Sequence, residues 1–177
     1  LAALAKVDGR VCAFLEPIAL YMAKDLHEPG DGGWLTSYPT PDLALALGEP
    51  RVYFEDATDC VVFTFGNGVP MSLRAARAIE AGQGWKVRVV DLRWLVPLNE
   101  KVIAKHAGEC ARILVVDEGR RSAGVGEGIV TAIVEAGLGD KPLRRVVGAD
   151  TFTPLAGAAF LVIPSEQEIV AAAAALA

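Results

Sequence analysis

The sequence predicts an α/β fold in which helices cover both faces of a mostly parallel sheet. From Arg51 onward, short runs rich in Val, Ile and Leu alternate with segments whose apolar residues recur every three or four positions. The apolar runs are nearly continuous, which is typical of strands buried on both faces of a parallel sheet. We expect right-handed crossovers between consecutive parallel strands.

Each element follows from a local pattern. The predicted strands cover 52–54, 60–65, 87–92, 112–117 and 143–148. The predicted helices cover 70–81, 100–107, the stretch around 125–136, and 165–176. Asn99 is expected to cap the second helix, which ends at Gly108. Ser165 and Glu168 form a capping box that begins the last helix.

The first 50 residues give weaker signals. The apolar run VCAF (11–14), which precedes Pro17, is expected to be a buried strand. Residues 25–50 are rich in Pro and Gly, so they are expected to form a linker or a long crossing loop. The chain starts at Leu1, without an initiator methionine or a signal peptide. We therefore expect it to be a piece of a longer polypeptide.

The composition excludes several classes of protein. The 177 residues are 53% hydrophobic, which fits a well-filled core, and no apolar run approaches the roughly 18 residues that cross a bilayer. The net charge of −5 comes without a basic run, which disfavours nucleic acid as a partner. The three cysteines, Cys12, Cys60 and Cys110, are widely spaced, so we do not expect them to bind a metal ion. Because three unpaired thiols are typical of a reducing compartment, we expect a cytoplasmic location.

One segment has the outline of a cofactor site. ILVVDEGRRSAGVGEGIV (113–130) predicts a buried strand, a glycine-rich turn and the start of a helix. The spacing departs from the dinucleotide fingerprint, because its third glycine position falls on Ile129. Glu127 adds a negative charge that opposes a pyrophosphate. We favour close packing by these glycines, and a nucleotide-binding or regulatory module using 119–128 is the alternative.

Other chemically capable residues do not form a complete active site. A predicted strand ends in Asp117 and Glu118, and Arg120 and Arg121 follow. These charged residues are candidates for binding a charged ligand, but we favour a solvated ion-pair cluster. Asp56 and Asp59 flank a turn between two strands. The serines lie in no GxSxG motif and the cysteines lie in or beside apolar runs.

The two histidines lie in different predicted surroundings. His106 is expected to cap a helix C-terminus, and His27 lies in a loop without an orienting partner. No catalytic, cofactor-binding or metal-binding residue is therefore assigned.

Five segments in order carry a family resemblance. They are VCAFLEPIALY (11–21), TFGNGVPMSLRAARAIE (64–80), VRVVDLRWLVPLNEKVI (87–103), RILVVDEGRRSAGVGEGI (112–129) and LRRVVGADTFTPLA (143–156). Together they resemble the carboxyl-terminal part of the beta subunit, or beta-like half, of thiamine-diphosphate-dependent 2-oxo acid dehydrogenases. The similarity is to the branched-chain and pyruvate types. VDLRWLVPLNE and LVVDEG are fairly specific to the wider transketolase superfamily.

The resemblance implies an architecture. Residues 1–24 would be a remnant of the pyrimidine-binding domain, 25–50 a linker, and 51–177 a transketolase C-terminal-like domain. That domain is a three-layer α/β/α structure with a five-stranded, mostly parallel sheet. Strand 52–54 would be its antiparallel edge strand, and the short turn that follows favours a hairpin with 60–65.

The resemblance also implies a function for the parent enzyme. It would decarboxylate a 2-oxo acid with thiamine diphosphate and Mg²⁺ and pass the acyl group to a lipoyl carrier. The family's catalytic glutamate lies outside this chain, so the isolated fragment is expected to be inactive and to bind no cofactor. Deoxyxylulose-phosphate synthase and transketolase are alternative parents within the superfamily.

The family gives this domain a role in assembly and docking. The implied partners are an alpha subunit or alpha-like half, a second beta copy and a dihydrolipoyl acyltransferase core. The residues we expect at such an interface are Glu118, Arg120, Arg121, Gly124 and Gly126.

Overall fold

The computed structural model describes residues 6, 9–40 and 42–177. Within this part of the chain, five strands form one sheet: β1 (Arg51–Tyr53), β2 (Cys60–Thr64), β3 (Val87–Asp91), β4 (Arg112–Arg120) and β5 (Leu143–Gly148). Four α-helices of the described residues cover it: α1 (Gly68–Gln83), α2 (Glu100–Glu109), α3 (Val125–Glu135) and α4 (Glu166–Ala174). Two short 3₁₀ turns lie at Ile18–Leu20 and Ala156–Leu161.

The strand order is β1-β3-β2-β4-β5. Strands β2 to β5 are parallel to one another, and β1 pairs antiparallel with β3, with Val52 opposite Val90. The antiparallel edge strand is therefore confirmed. The expected hairpin between β1 and β2 is wrong, because β3 and β4 occupy both sides of β2, and β1 pairs with the outer edge of β3 instead.

Side chains that alternate along the strands build two apolar layers. Val62 and Leu114 face the layer formed with α1 and α4, whereas Val61 and Ile113 face the layer formed with α2 and α3. All four are at most 1% exposed. The chain is thus a three-layer α/β/α structure, as the continuous apolar strands predicted.

The starts of two helices agree with the predicted caps, whereas α2 ends at Glu109, one residue beyond the predicted Gly108. Val102 N donates to Asn99 Oδ1 at 3.2 Å at the start of α2, and both bonds of the capping box join Ser165 and Glu168. Helix α1 begins at Gly68, two residues before the predicted start at Pro70. Pro70 is compatible with this earlier start, because proline is tolerated in the first turn of a helix. No helix of the described residues is long and apolar enough to cross a membrane.

The expected strand at 11–14 is wrong. These residues have no regular structure, and Val11 and Phe14 are 102% and 69% exposed, since no strand of the described chain pairs with them. The described part of 25–50 contains no helix or strand, in agreement with a loop. Residues 1–5, 7, 8 and 41, which belong to the expected domain remnant and linker, lie outside the described residues.

Candidate functional site

The glycine-rich turn between β4 and α3 encloses the carboxylate of Asp117. This side chain is 2% exposed. Its Oδ1 accepts a hydrogen bond from Gly119 N and its Oδ2 one from Gly126 N, both at 2.7 Å. Gly126 lies in the first turn of α3, where unpaired N–H groups favour an anion. The chain's own carboxylate therefore occupies the position that a phosphate would take in a cofactor turn.

The glycines of the turn are needed for close approach to this carboxylate. A Cβ atom added at Gly119 would lie 2.8 Å from Asp117 Oδ1, and one at Gly124 would lie 2.9 Å from Asp117 Oδ2. At Gly126 the corresponding distance to Asp117 Oδ2 is 3.2 Å. Ile129, which replaces the third fingerprint glycine, is fully buried in the core. The geometry therefore supports packing over phosphate binding.

A second polar group lies where β2 and β4 end side by side. The chain turns from β2 to β3 on one side and later reaches β4 on the other, so this is the topological switch point of the sheet. Asn67 Nδ2 donates to Glu118 Oε2 at 2.9 Å. Burial raises the pKa of Glu118, a shift that Asn67 opposes and the nearby Asp117 reinforces. Thr64 Oγ1 and Asn67 Oδ1 are buried without a hydrogen-bond partner among the described residues.

Arg120, the last residue of β4, and Arg121, which follows it, are both exposed. Ser122, which follows them, donates from both N and Oγ to Asp150 Oδ1 at 3.0 Å, joining the turn to the end of β5. These bonds lower the pKa of Asp150, and the charges of Arg120 and Arg121 contribute further. This edge of the domain therefore carries two exposed cations.

The favoured interpretation of residues 117–121 as a solvated ion-pair cluster is wrong. Asp117 is buried and binds backbone N–H groups, and Glu118 pairs with an amide. Among the described residues, no ion pair joins either carboxylate to Arg120 or Arg121. The expectation failed because the residues that lead from β4 to α3 fold around the Asp117 carboxylate and bury it.

A buried charged cluster was missed in the sequence. Arg88 in β3 is 3% exposed, and its Nε donates to Ala57 O at 3.1 Å. Its Nη1 contacts His106 Nδ1 at 2.8 Å and also forms an ion pair with Glu109. Burial, and then the charge of Arg88, lower the pKa of His106. His106 is therefore a buried acceptor for Arg88, and the expected helix cap is wrong. The available signal was an arginine inside the apolar run VRVVD.

The remaining candidates are dispersed over the fold. Asp59 Oδ2 accepts a hydrogen bond from Lys86 N at 2.8 Å, whereas Asp56 borders a surface cavity together with His27. Burial raises the pKa of the Cys60 thiol to about 12, which makes it unreactive near neutral pH. Among the described residues, no group of three His, Cys, Asp or Glu side chains could hold a metal ion.

Comparison with known proteins gives the family. The family described as transketolase, C-terminal domain, matches residues 52–168, which is more than half of the chain. The chain therefore belongs to the transketolase C-terminal domain family.

Two named relatives narrow the class. Over 134 residues the chain is 30% identical to the pyruvate dehydrogenase E1 component subunit beta of Staphylococcus aureus, a match that covers 75% of this chain and 41% of the relative. Over 158 residues it is 31% identical to the 3-methyl-2-oxobutanoate dehydrogenase subunit beta of Mycobacterium tuberculosis, covering 88% of this chain and 42% of the relative. The chain thus spans about two fifths of the length of the beta subunits it matches.

A solved structure supports the fold. A split-gene transketolase, solved as an inactive beta4 tetramer, superposes with a TM-score of 0.66 at 21% identity and covers 80% of this chain and 45% of that one. At this identity the likeness concerns the architecture alone. The predicted family and the predicted fold are both confirmed.

Proposed function

We propose that this chain is the assembly and partner-docking domain of a 2-oxo acid dehydrogenase decarboxylating component, within its beta subunit or beta-like half. The parent enzyme oxidatively decarboxylates a 2-oxo acid and transfers the acyl group to a lipoyl carrier. The observation that carries the proposal is the Asp117 carboxylate at the start of α3, since it gives the most cofactor-like segment a packing role. The relationship to two beta subunits supplies the reaction class.

The cofactors of the proposed enzyme are thiamine diphosphate and Mg²⁺, and we place both outside this chain. The residues present do not fit a diphosphate in the glycine-rich turn, because Asp117 already accepts the Gly126 N–H and repels a second anion. Glu127 adds a further negative charge and accepts a hydrogen bond from Ala123 N at 3.0 Å. The isolated chain is accordingly inactive in this proposal, and its own residues serve assembly.

The proposed domain limits follow the expected ones. Residues 1–24 are a remnant of the pyrimidine-binding domain, 25–50 are the linker, and 51–177 are the docking domain. Exposure of the apolar side chains of Val11, Phe14 and Ile18 supports this division, because a segment cut from another domain would have lost its core. The buried, unpaired thiols of Cys60 and Cys110 support a cytoplasmic enzyme.

The proposed partners are an alpha subunit or alpha-like half, a second beta copy and a dihydrolipoyl acyltransferase core. We assign direct contact to Glu118, Arg120 and Arg121, of which the two arginines are exposed. Gly124 and Gly126 contribute indirectly, because they hold the turn against Asp117. The adjacent loop adds apolar contact area, since Phe152, Leu155 and Phe160 are each at least 76% exposed.

A binding assay tests the docking role. A tagged 177-residue chain is mixed separately with the alpha subunit and the acyltransferase of the same organism, and the complexes are measured by pull-down and size-exclusion chromatography. We expect a complex with at least one partner and a loss of about tenfold in affinity for the double variant Arg120→Glu, Arg121→Glu. The double variant Lys101→Glu, Lys105→Glu, which reverses two exposed charges on α2, is the matched control. Absence of binding to both partners, or an equal loss in the control, refutes the proposal.

A ligand screen tests the nucleotide-binding alternative. A nucleotide at 100 times its dissociation constant stabilises a protein by about 2.7 kcal/mol, which a thermal shift detects readily. We expect no shift with ATP, ADP or NAD. A clear shift that the substitution Gly124→Val removes would replace the docking proposal by a nucleotide-binding module.

A further inference from the structure

A surface cavity of about 420 Å³ lies apart from the glycine-rich turn. It is bordered by α1, the turn between β1 and β2, the start of β3 and the loop around His27. Its floor is apolar and is formed by residues that are at most 6% exposed: Ala57, Leu73, Ala76 and Val87. The volume lies within the range of about 300–1,000 Å³ that is usual for small-molecule sites.

An aromatic side chain borders the cavity in an unusual conformation. Phe54 has a φ angle of 56°, in the left-handed region that bulky residues rarely adopt. The turn is closed by a 2.9 Å hydrogen bond from Ala57 N to Phe54 O, and Phe54 is 61% exposed. Such a conformation costs about 1–3 kcal/mol and is concentrated at binding and active sites. Here it leaves a solvent-accessible ring beside an apolar floor.

The loop around His27, which also borders the cavity, is closed by several internal hydrogen bonds. Asp31 Oδ2 accepts hydrogen bonds from His27 N and Glu28 N at 2.8 and 3.0 Å. Asp25 accepts two more from Gly30 N and Gly32 N at 2.8 and 2.9 Å. The loop that carries His27 therefore needs little ordering when a ligand binds, which favours affinity.

Both signs of charge meet at the rim. Arg77 and Lys86 provide cations, and Asp56 and Glu80 provide anions. Within the described part of the chain, Asp56, Glu80 and Lys86 form no ion pair, and Arg77 has only an exposed contact of 3.7 Å with Glu28. A ligand that carries one positive and one negative group could therefore pair with both.

We propose that this cavity binds a small zwitterion with an apolar body, of which an apolar α-amino acid is the simplest example. The apolar body covers the floor beside Phe54. The carboxylate pairs with Lys86 and Arg77, and the ammonium group pairs with Asp56 and Glu80. The site is independent of the docking role, because it uses none of the residues assigned to the partner surface.

Thermal shift measurements on the 177-residue chain test the ligand class. L-phenylalanine and L-leucine are the probes. Glycine lacks the apolar body, 3-phenylpropanoate lacks the ammonium group and phenethylamine lacks the carboxylate. At ten times its dissociation constant, a bound amino acid should raise the melting temperature by about 3–6 °C. Binding of the single-charge analogues should be at least fivefold weaker. The proposal is overturned if neither amino acid shifts the melting temperature at 20 mM, or if a single-charge analogue binds equally well.

Three variants locate the site. Ala76→Phe fills the cavity and should abolish binding, whereas Phe54→Ala removes an exposed ring and should weaken binding about five- to tenfold. Tyr38→Ala is the matched control, because it removes a ring that is 96% exposed and lies outside the cavity. Phe54→Ala does not enter the core, so it remains informative if Ala76→Phe fails to fold. Equal affinities for Phe54→Ala and Tyr38→Ala would place the ligand elsewhere and refute the assignment.

Discussion

Replacing Asp117 by alanine removes the carboxylate around which the β4–α3 turn is built. The buried N–H group of Gly126 and the part-buried N–H group of Gly119 then each lose an acceptor at 2.7 Å. Each buried donor left without a partner costs about 1–3 kcal/mol, and loss of an anion at a helix N-terminus costs about 0.3–1 kcal/mol more. Because water can solvate the exposed Gly119 N–H group, we count one buried donor and expect Asp117→Ala to lower the free energy of unfolding by about 1–4 kcal/mol.

Urea unfolding followed by circular dichroism measures this loss. Asp117→Asn has nearly the same shape but offers one oxygen in place of two, so we expect an intermediate loss of about 1–3 kcal/mol. It also keeps the test usable if the alanine variant does not fold, since whole domains are stable by only about 5–15 kcal/mol. Asp140→Ala, an exposed substitution, is the control and should change stability by less than about 0.5 kcal/mol.

A rescue experiment separates the anion role from simple packing. Formate resembles the removed carboxylate, so at 100 mM it should stabilise Asp117→Ala more than the unchanged chain, with chloride at equal ionic strength as reference. The reasoning about Asp117 is refuted if the alanine variant loses less than about 1 kcal/mol. It is also refuted if formate stabilises both proteins equally, because the helix N-terminus would then be free to bind an external anion.

Three further predictions concern other contacts. Gly126→Ala should destabilise the fold by about 1–3 kcal/mol, because the added Cβ atom would lie 3.2 Å from Asp117 Oδ2. Gly128→Ala should be nearly neutral, since its Cβ atom would meet only the end of a leucine side chain. Chemical unfolding of the two variants compares these losses of stability. The pKa of His106 is lowered in the folded chain, so the unfolded chain binds more protons and stability should fall as the pH decreases below about 6.5. His106→Gln should weaken this dependence of the free energy of unfolding on pH, measured from pH 7.5 to 5. Lys141→Met should lower stability by about 1–2 kcal/mol in the same assay, because Lys141 Nζ donates to three carbonyl oxygens at the end of α2 at 2.6–2.8 Å.

Most of the secondary structure was predictable because its signals are local. A continuous apolar run such as Cys60–Thr64 and a capping box such as that of Ser165 are read from a few neighbouring residues. Strand pairing was less predictable. The short β1–β2 turn suggested a hairpin, but β1 joins the sheet beyond β3, and that choice depends on which strand edges remain free. The apolar run at 11–14 failed for the same reason, since a strand also requires a neighbour.

The candidate site was harder to predict because burial there depends on distant residues. The sequence alone does not distinguish an exposed carboxylate at Asp117 from one enclosed by the following turn. The Arg88–His106 contact joins residues 18 positions apart, and it forms because α2 covers the face of the sheet on which Arg88 and Val90 lie. In both cases the residue types were visible, but their hydrogen-bond partners were set by the tertiary structure.

The glycine-rich turn shows why its pattern can mislead. Glycines between a strand and a helix let the backbone approach an anion closely, and this requirement is the same whether the anion is a phosphate or a side chain. The residue that distinguishes the two cases is the acid at the end of the strand. Here Asp117 precedes Gly119 by two residues and Gly126 by nine, which lets one carboxylate accept both N–H groups. A strand that carries such an acid near its end supplies its own anion. The glycines that follow it then indicate a helix capped by the chain's own carboxylate rather than a cofactor site.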